Sequence, residues 1–181
     1  MPNHCENHTN ISGEVSALRE LRDAMLDADG EYRLANVMPV PEGQDAYHWC
    51  WDNWGTKWGD YDHWSDDAWD IHEYGDGMGY MDASYMTAWG PFSLGFWLAV
   101  SRRFPSLSFE TTCEEGNNGF VGAVVASNGV GAEEFTDQLP VYPDGSDDEW
   151  DVPDYCDAMC DLREQMLLRA QAKMELDGVT A

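Results

Sequence analysis

The chain has 181 residues, 43% hydrophobic and 13% aromatic, and carries 35 Asp and Glu against 9 Lys and Arg, a formal net charge of -26. That length and apolar content suit one packed domain, alone or with an appendage, and exclude an acidic disordered tail. A surface of one sign repels polyanions, which excludes naked nucleic acid and anionic membranes as ligands, and no window reaches the roughly 20 apolar residues of a membrane span.

Cys5 to Ser12 reads as a first strand, with Gly13 as its stop. Glu14 to Leu26 reads as a helix with Ser12 placed to cap it. Val15, Leu18, Leu21 and Met25 recur at three- and four-residue steps and give it one apolar face. Tyr32 to Val40 reads as a second strand, ended by Pro39 and Pro41. Next comes an insertion at about 45–78. Tyr47, Trp51, Trp54 and Trp58 form a helical stripe that Gly55 and Gly59 break. Asp60, Asp62, Asp66, Asp67 and Asp70 then interleave with Tyr61, Trp64 and Trp69, so that the rings pack and the carboxylates face water.

Gly79 to Trp89 reads as a strand and Pro91 to Phe104 as a second amphipathic helix, with Pro91 in its first turn. Leu107 to Cys113 and Phe120 to Ala126 read as a hairpin around a turn at Glu114 to Asn118. Ser127 to Gly131 turns again. Glu133 to Pro153 reads as an acidic surface connector, and Asp154 to Leu176 as a final helix.

Three strings carry a resemblance: Met1-Pro2-Asn3-His4-Cys5-Glu6-Asn7; Trp49-Cys50-Trp51-Asp52-Asn53-Trp54-Gly55-Thr56-Lys57-Trp58; and Thr87-Ala88-Trp89-Gly90-Pro91 with Ser101-Arg102-Arg103-Phe104-Pro105. Over roughly residues 1–126 the chain resembles the YubB-type ferredoxin-like proteins of phages and conjugative plasmids. The resemblance implies an α+β fold, a ferredoxin-like split β-α-β antiparallel sheet with helices on one face. The aromatic, Asp-rich insertion and an acidic C-terminal helical extension are additions to it. On this reading 1–131 is the ferredoxin-like domain and 132–181 the acidic connector and helix. The family name describes topology, no four-cysteine cluster pattern is present, and no catalytic residue is carried over.

The five cysteines are odd in number and scattered, which points to a reducing compartment. With no basic or apolar leader pattern at the start, a soluble protein of the host cytoplasm is expected. His4, Cys5 and His8 are the best metal candidates, but on a strand His4 and His8 share one face and Cys5 the other. Two ligands fall short of the four that zinc takes, so no metal or other cofactor is expected. Cys156 and Cys160, four apart, lack the redox spacing and read as packing thiols. The segment Asp60 to Asp66 lacks the Gly and Glu of a calcium loop. Gly75 to Gly79 lacks the Lys of a phosphate loop, and no nucleophile motif is present, so the chain is not expected to be an enzyme.

The final helix is more informative. At about 100° per residue, Asp154, Asp157, Asp161 and Glu164 fall on one side and Tyr155, Met159, Leu162, Met166 and Ala170 nearly opposite. The acidic row continues a connector holding Asp144, Asp147, Asp148, Glu149 and Asp151, and no Lys or Arg lies between Phe104 and Leu162. DNA-binding proteins draw much of their affinity from phosphates. The expectation is therefore a non-enzymatic mobile-element protein whose carboxylates bind a basic surface of a host protein, as a DNA mimic or anti-defence inhibitor. Two alternatives stand beside it. The row is an ordinary solvated face, or the chain is a small structural or accessory protein whose acidity reflects a saline host and which has no specific inhibitory partner, in keeping with lysines at Lys57 and Lys173 alone.

Overall fold

The elements follow in the order β1 (His4–Glu14), α1 (Val15–Met25), a 3-10 turn at Leu34–Val37, α2 (Ala46–Asn53), β2 (His72–Gly75), β3 (Met78–Ala88), α3 (Leu94–Arg103), β4 (Leu107–Glu115), β5 (Phe120–Ser127), β6 (Val130–Thr136) and α4 (Pro153–Val179). The computed structural model describes residues 3–64, 68–116, 119–140 and 153–179, with backbone alone at 153–154 and 178–179. The six strands form one antiparallel sheet in the order β2-β3-β1-β4-β5-β6. β1 is central. It buries Cys5, Asn7, Thr9 and Ile11 on one face and leaves His4, Glu6 and His8 exposed on the other. β3 and β4 flank it, both antiparallel to it, so α3 joins them by crossing over β1.

α1 and α3 lie on one face of the sheet, as their apolar stripes predict. Leu18, Leu21 and Met25 of α1 and Phe96, Trp97 and Val100 of α3 share a core with Ile11, Met81, Tyr85 and Phe109. The last helix differs from the expected extension. It covers the second face, where Met159, Met166 and Ala170 pack on Val121, Ala123 and Val125 of β5 and Ala132 of β6. β6 replaces the start of the expected connector and runs through position 131, at which the sequence reading divides the chain. Its pairing with β5, from Ser127↔Val130 to Val121↔Thr136, stabilises an acidic segment that propensity alone does not mark as a strand.

The expected strand over Tyr32–Val40 is instead a 3-10 turn, tied down by a residue from the insertion. The Asp60 carboxylate, 2% exposed, accepts hydrogen bonds from the amides of Leu34 (3.0 Å) and Ala35 (2.9 Å). That satisfies donors a helical turn leaves unpaired. Helix caps also fall elsewhere than expected. α1 starts without a side-chain cap, whereas Asp45 caps α2 and Ser93 caps α3. The glycine-rich stretch is the turn between β2 and β3, with Asp76 and Gly77 at φ of 53° and 74°. The insertion hydrogen-bonds along β3 through Tyr61 with Met86 and the Trp69 amide with Asp82, and so covers an edge that would otherwise lie open.

Asp60→Ala should lower stability by about 2–5 kcal/mol, since two buried amides lose their acceptor. Exposed Asp52→Ala should change it by about 0.5 kcal/mol or less. Chemical denaturation of both variants checks this, and equal effects would remove Asp60 from this role.

Candidate interface on the last helix and the cleft beside it

Charge is sorted across α4. Toward the sheet, Arg163 pairs with Glu114 of β4 at 3.3 Å, Lys173 pairs with Glu134 of β6, and Gln171 donates to Glu110 Oε1 at 2.8 Å. The Lys173 ammonium holds the Glu134 carboxyl below its ordinary value, with Arg169 adding to the effect. Away from the sheet, Asp157, Asp161, Glu164 and Glu175 are exposed. Asp157 to Glu164 spans about 10 Å along the axis. Asp154 belongs to the helix by its backbone, and its side chain lies outside the description. Asp144, Asp147, Asp148, Glu149 and Asp151 lie outside the described residues. Tyr155 and Leu162 pack with the buried methionines, as the helical spacing predicts.

Cys156 and Cys160 are exposed, contrary to the packing role expected of them. At about 100° per residue they fall on the flank of the buried stripe centred on Met159 and Met166. There they line a cleft of about 420 Å³ between α4 and the sheet, with His4 and Glu6 of β1, Glu114 of β4, Phe120 of β5, and Leu139, Met159 and Arg163 also on its walls. Burial first, and then the charge of Glu114, push the Glu6 carboxyl above its ordinary value. Cys5 points away, into the core. A hydrogen bond with Cys113, together with burial, drives its thiol far up. The core also holds a hydroxyl chain, Thr111–Thr9–Tyr85, with both links 2.8 Å. Burial pushes the Tyr85 phenol well up.

His4 and His8 share the sheet's second face, as their spacing predicts. His4 Nδ1 lies 2.6 Å from the Tyr61 hydroxyl and His8 Nδ1 3.1 Å from Ser84. Among the described residues, no group of three His, Cys, Asp or Glu is placed to hold a metal ion. The aromatic stripe divides. Trp54 is buried, whereas Tyr47, Trp51 and Trp58 are exposed; in the Asp-rich segment after it Trp69 is buried and Trp64 exposed, and Asp60 is buried where water was expected around it. Among the described residues, no helix is long and apolar enough to cross a membrane. Compared with protein-family models, curated proteins and solved structures, the chain matches none.

Glu6 yields a signed pH dependence. Its folded value lies above the ordinary 4.5, so ionised Glu6 costs stability above that folded value. Well below pH 4.5 it is protonated in both states and the cost vanishes. Glu6→Gln should therefore raise the melting temperature at pH 7 and leave it unchanged at strongly acidic pH. A lower melting temperature at pH 7 would contradict this.

Proposed function

We propose that the chain is a non-enzymatic binding protein whose acidic α4 face docks on a basic surface of a partner protein, at a place where that partner otherwise holds DNA. The observation that carries this is the sorting of charge across α4. Arg163 and Lys173 are turned inward onto Glu114 and Glu134, so Asp157, Asp161 and Glu164 face solvent without a cation among them. An ordinary solvated helix mixes its charges, which stabilises it through pairs three and four residues apart. This face gives up that stabilisation and presents one sign. Such a row attracts a cationic surface beyond contact range, within a screening length of about 8 Å at physiological ionic strength.

The same reading makes the chain a relative of the YubB-type ferredoxin-like proteins of phages and conjugative plasmids, acting in the host cytoplasm. The succession β1-α1-β2-β3-α3-β4, with strands ordered β4-β1-β3-β2, supports a ferredoxin-like β-α-β-β-α-β unit. Both of its long helices lie on one face, and β5, β6 and α4 are added to it.

The test joins Asp157→Asn, Asp161→Asn and Glu164→Gln in one variant. Wild-type protein should capture a basic DNA-binding protein from host lysate at low salt, release it at high salt, and lose it to added duplex DNA. The variant should bind that protein on the order of tenfold more weakly. Its melting temperature should be unchanged or higher, because self-repulsion falls. Equal capture by both proteins would assign this face to solvation alone.

A further inference from the structure

We propose that the cleft beside α4 is the anchor of this interface and takes an arginine side chain of the partner. The inference rests on the reading of the acidic face and names the group that enters. The volume, about 420 Å³, is at the scale of sites that enclose small ligands. Its walls are of two kinds. Phe120, Leu139 and Met159 offer apolar surface for a methylene stem, and Glu6 and Glu114 offer carboxylates for its head.

The carboxylates are incompletely served from within. Glu114 Oε2 is shielded from solvent and accepts no hydrogen bond, although Arg163 stands 3.3 Å away as an ion partner. The ion pair with Arg163 thus leaves the hydrogen-bonding capacity of Glu114 Oε2 unused. Glu6, exposed at the cleft rim, stands in the field of Glu114; partial desolvation and that charge hold its carboxyl above the ordinary value, against the opposing charge of Arg163. Among the described residues, Arg163 is the one Lys or Arg on a wall that carries three carboxylates, Glu6, Glu114 and Glu115. A second guanidinium supplies positive charge and a planar fork of donors for Glu6 and for the accessible part of Glu114 that lines the cleft. An ammonium is a compact, strongly hydrated point charge and fits that pair of acceptors less well. The cleft wall at Cys156 and Cys160 belongs to the same turns as Asp157 and Asp161, so a partner drawn to the row arrives over the cleft.

Cys156 and Cys160 provide the readout. They are exposed, while Cys5, Cys50 and Cys113 are buried. The full chain is alkylated with iodoacetamide and each site followed by mass spectrometry. The probes are acetyl-Gly-Arg-Gly-amide and its lysine and citrulline counterparts at millimolar concentration. At a concentration equal to its Kd, the arginine peptide should slow alkylation about twofold. The citrulline peptide should not protect, the lysine peptide should protect less, and Glu6→Gln should lose most of the protection. Equal rates with arginine and citrulline peptides, equal protection by lysine, or undiminished protection in Glu6→Gln would each overturn the proposal. The assay contains no partner protein, so its outcome is independent of capture by the α4 variant. Loss of capture without peptide protection would leave the acidic face standing and remove the anchor alone.

Discussion

β5 is buried on both faces, and the acidic side of the molecule depends on that constraint. Val121 to Ala126 run without a break in burial. An antiparallel strand with one wet face would alternate, so this run demands cover above and below. α3 supplies one cover. The other must come from outside the core unit, and α4 supplies it with Met159, Met166 and Ala170. Each fully buried large apolar side chain contributes about 1.5–3 kcal/mol. The helix is therefore held by its apolar stripe, and its electrostatics follow from the rotation that stripe imposes.

With the stripe inward, the flanking residues have fixed neighbours. Arg163 and Lys173 come over Glu114 and Glu134, carboxylates on the sheet's second face. The residues opposite the stripe, Asp157, Asp161 and Glu164, are left to water. Hydrophobic packing thus settles which charges are neutralised internally and which remain available to a partner. The cleft follows from the same geometry. It opens beside the first turns of α4, where the helix passes over the polar ends of β1 and β4 and meets Glu6 and Glu114 rather than β5's apolar run.

Periodicity made much of this legible in the sequence. The alternation of β1, the stripes of α1 and α3, and the two sides of α4 all follow from spacing, because each element has one dry face. What spacing missed were features stabilised by distant residues. The 3-10 turn at Leu34–Val37 rests on Asp60, a carboxylate from the insertion that resembles its exposed neighbours until the chain is folded. β6 is acidic and becomes a strand because β5 offers it an edge. Spacing assigns Cys156 and Cys160 to packing, and only the rotation of α4 against β5 shows them on a cleft wall. The string Trp54-Gly55-Thr56, prominent in the sequence, has a structural use. The Trp54 indole donates to Met38 O, and the Thr56 hydroxyl donates to Ala88 O at 2.7 Å, tying the insertion to the end of β3.

The scarce cations complete the argument. Arg19 of α1 reaches Glu73 of β2, Arg22 reaches Asp70, and Arg33 lies by Asp27 and donates to the Asp60 carbonyl. Arg103 of α3 donates to the Val37 carbonyl at 2.9 Å, and Arg163 and Lys173 tie α4 to β4 and β6. These contacts join one element to another. Exposed pairs of this kind contribute little to stability, about 0–1 kcal/mol each. Their larger effect is on the outside of the molecule. Arg163 and Lys173, held on Glu114 and Glu134, do not lie over Asp157, Asp161 and Glu164, whereas Arg102 and Arg169 stay exposed. With a formal net charge of -26, the chain would be acidic however its cations were placed. Their placement leaves the outer face of α4, at Asp157, Asp161 and Glu164, acidic.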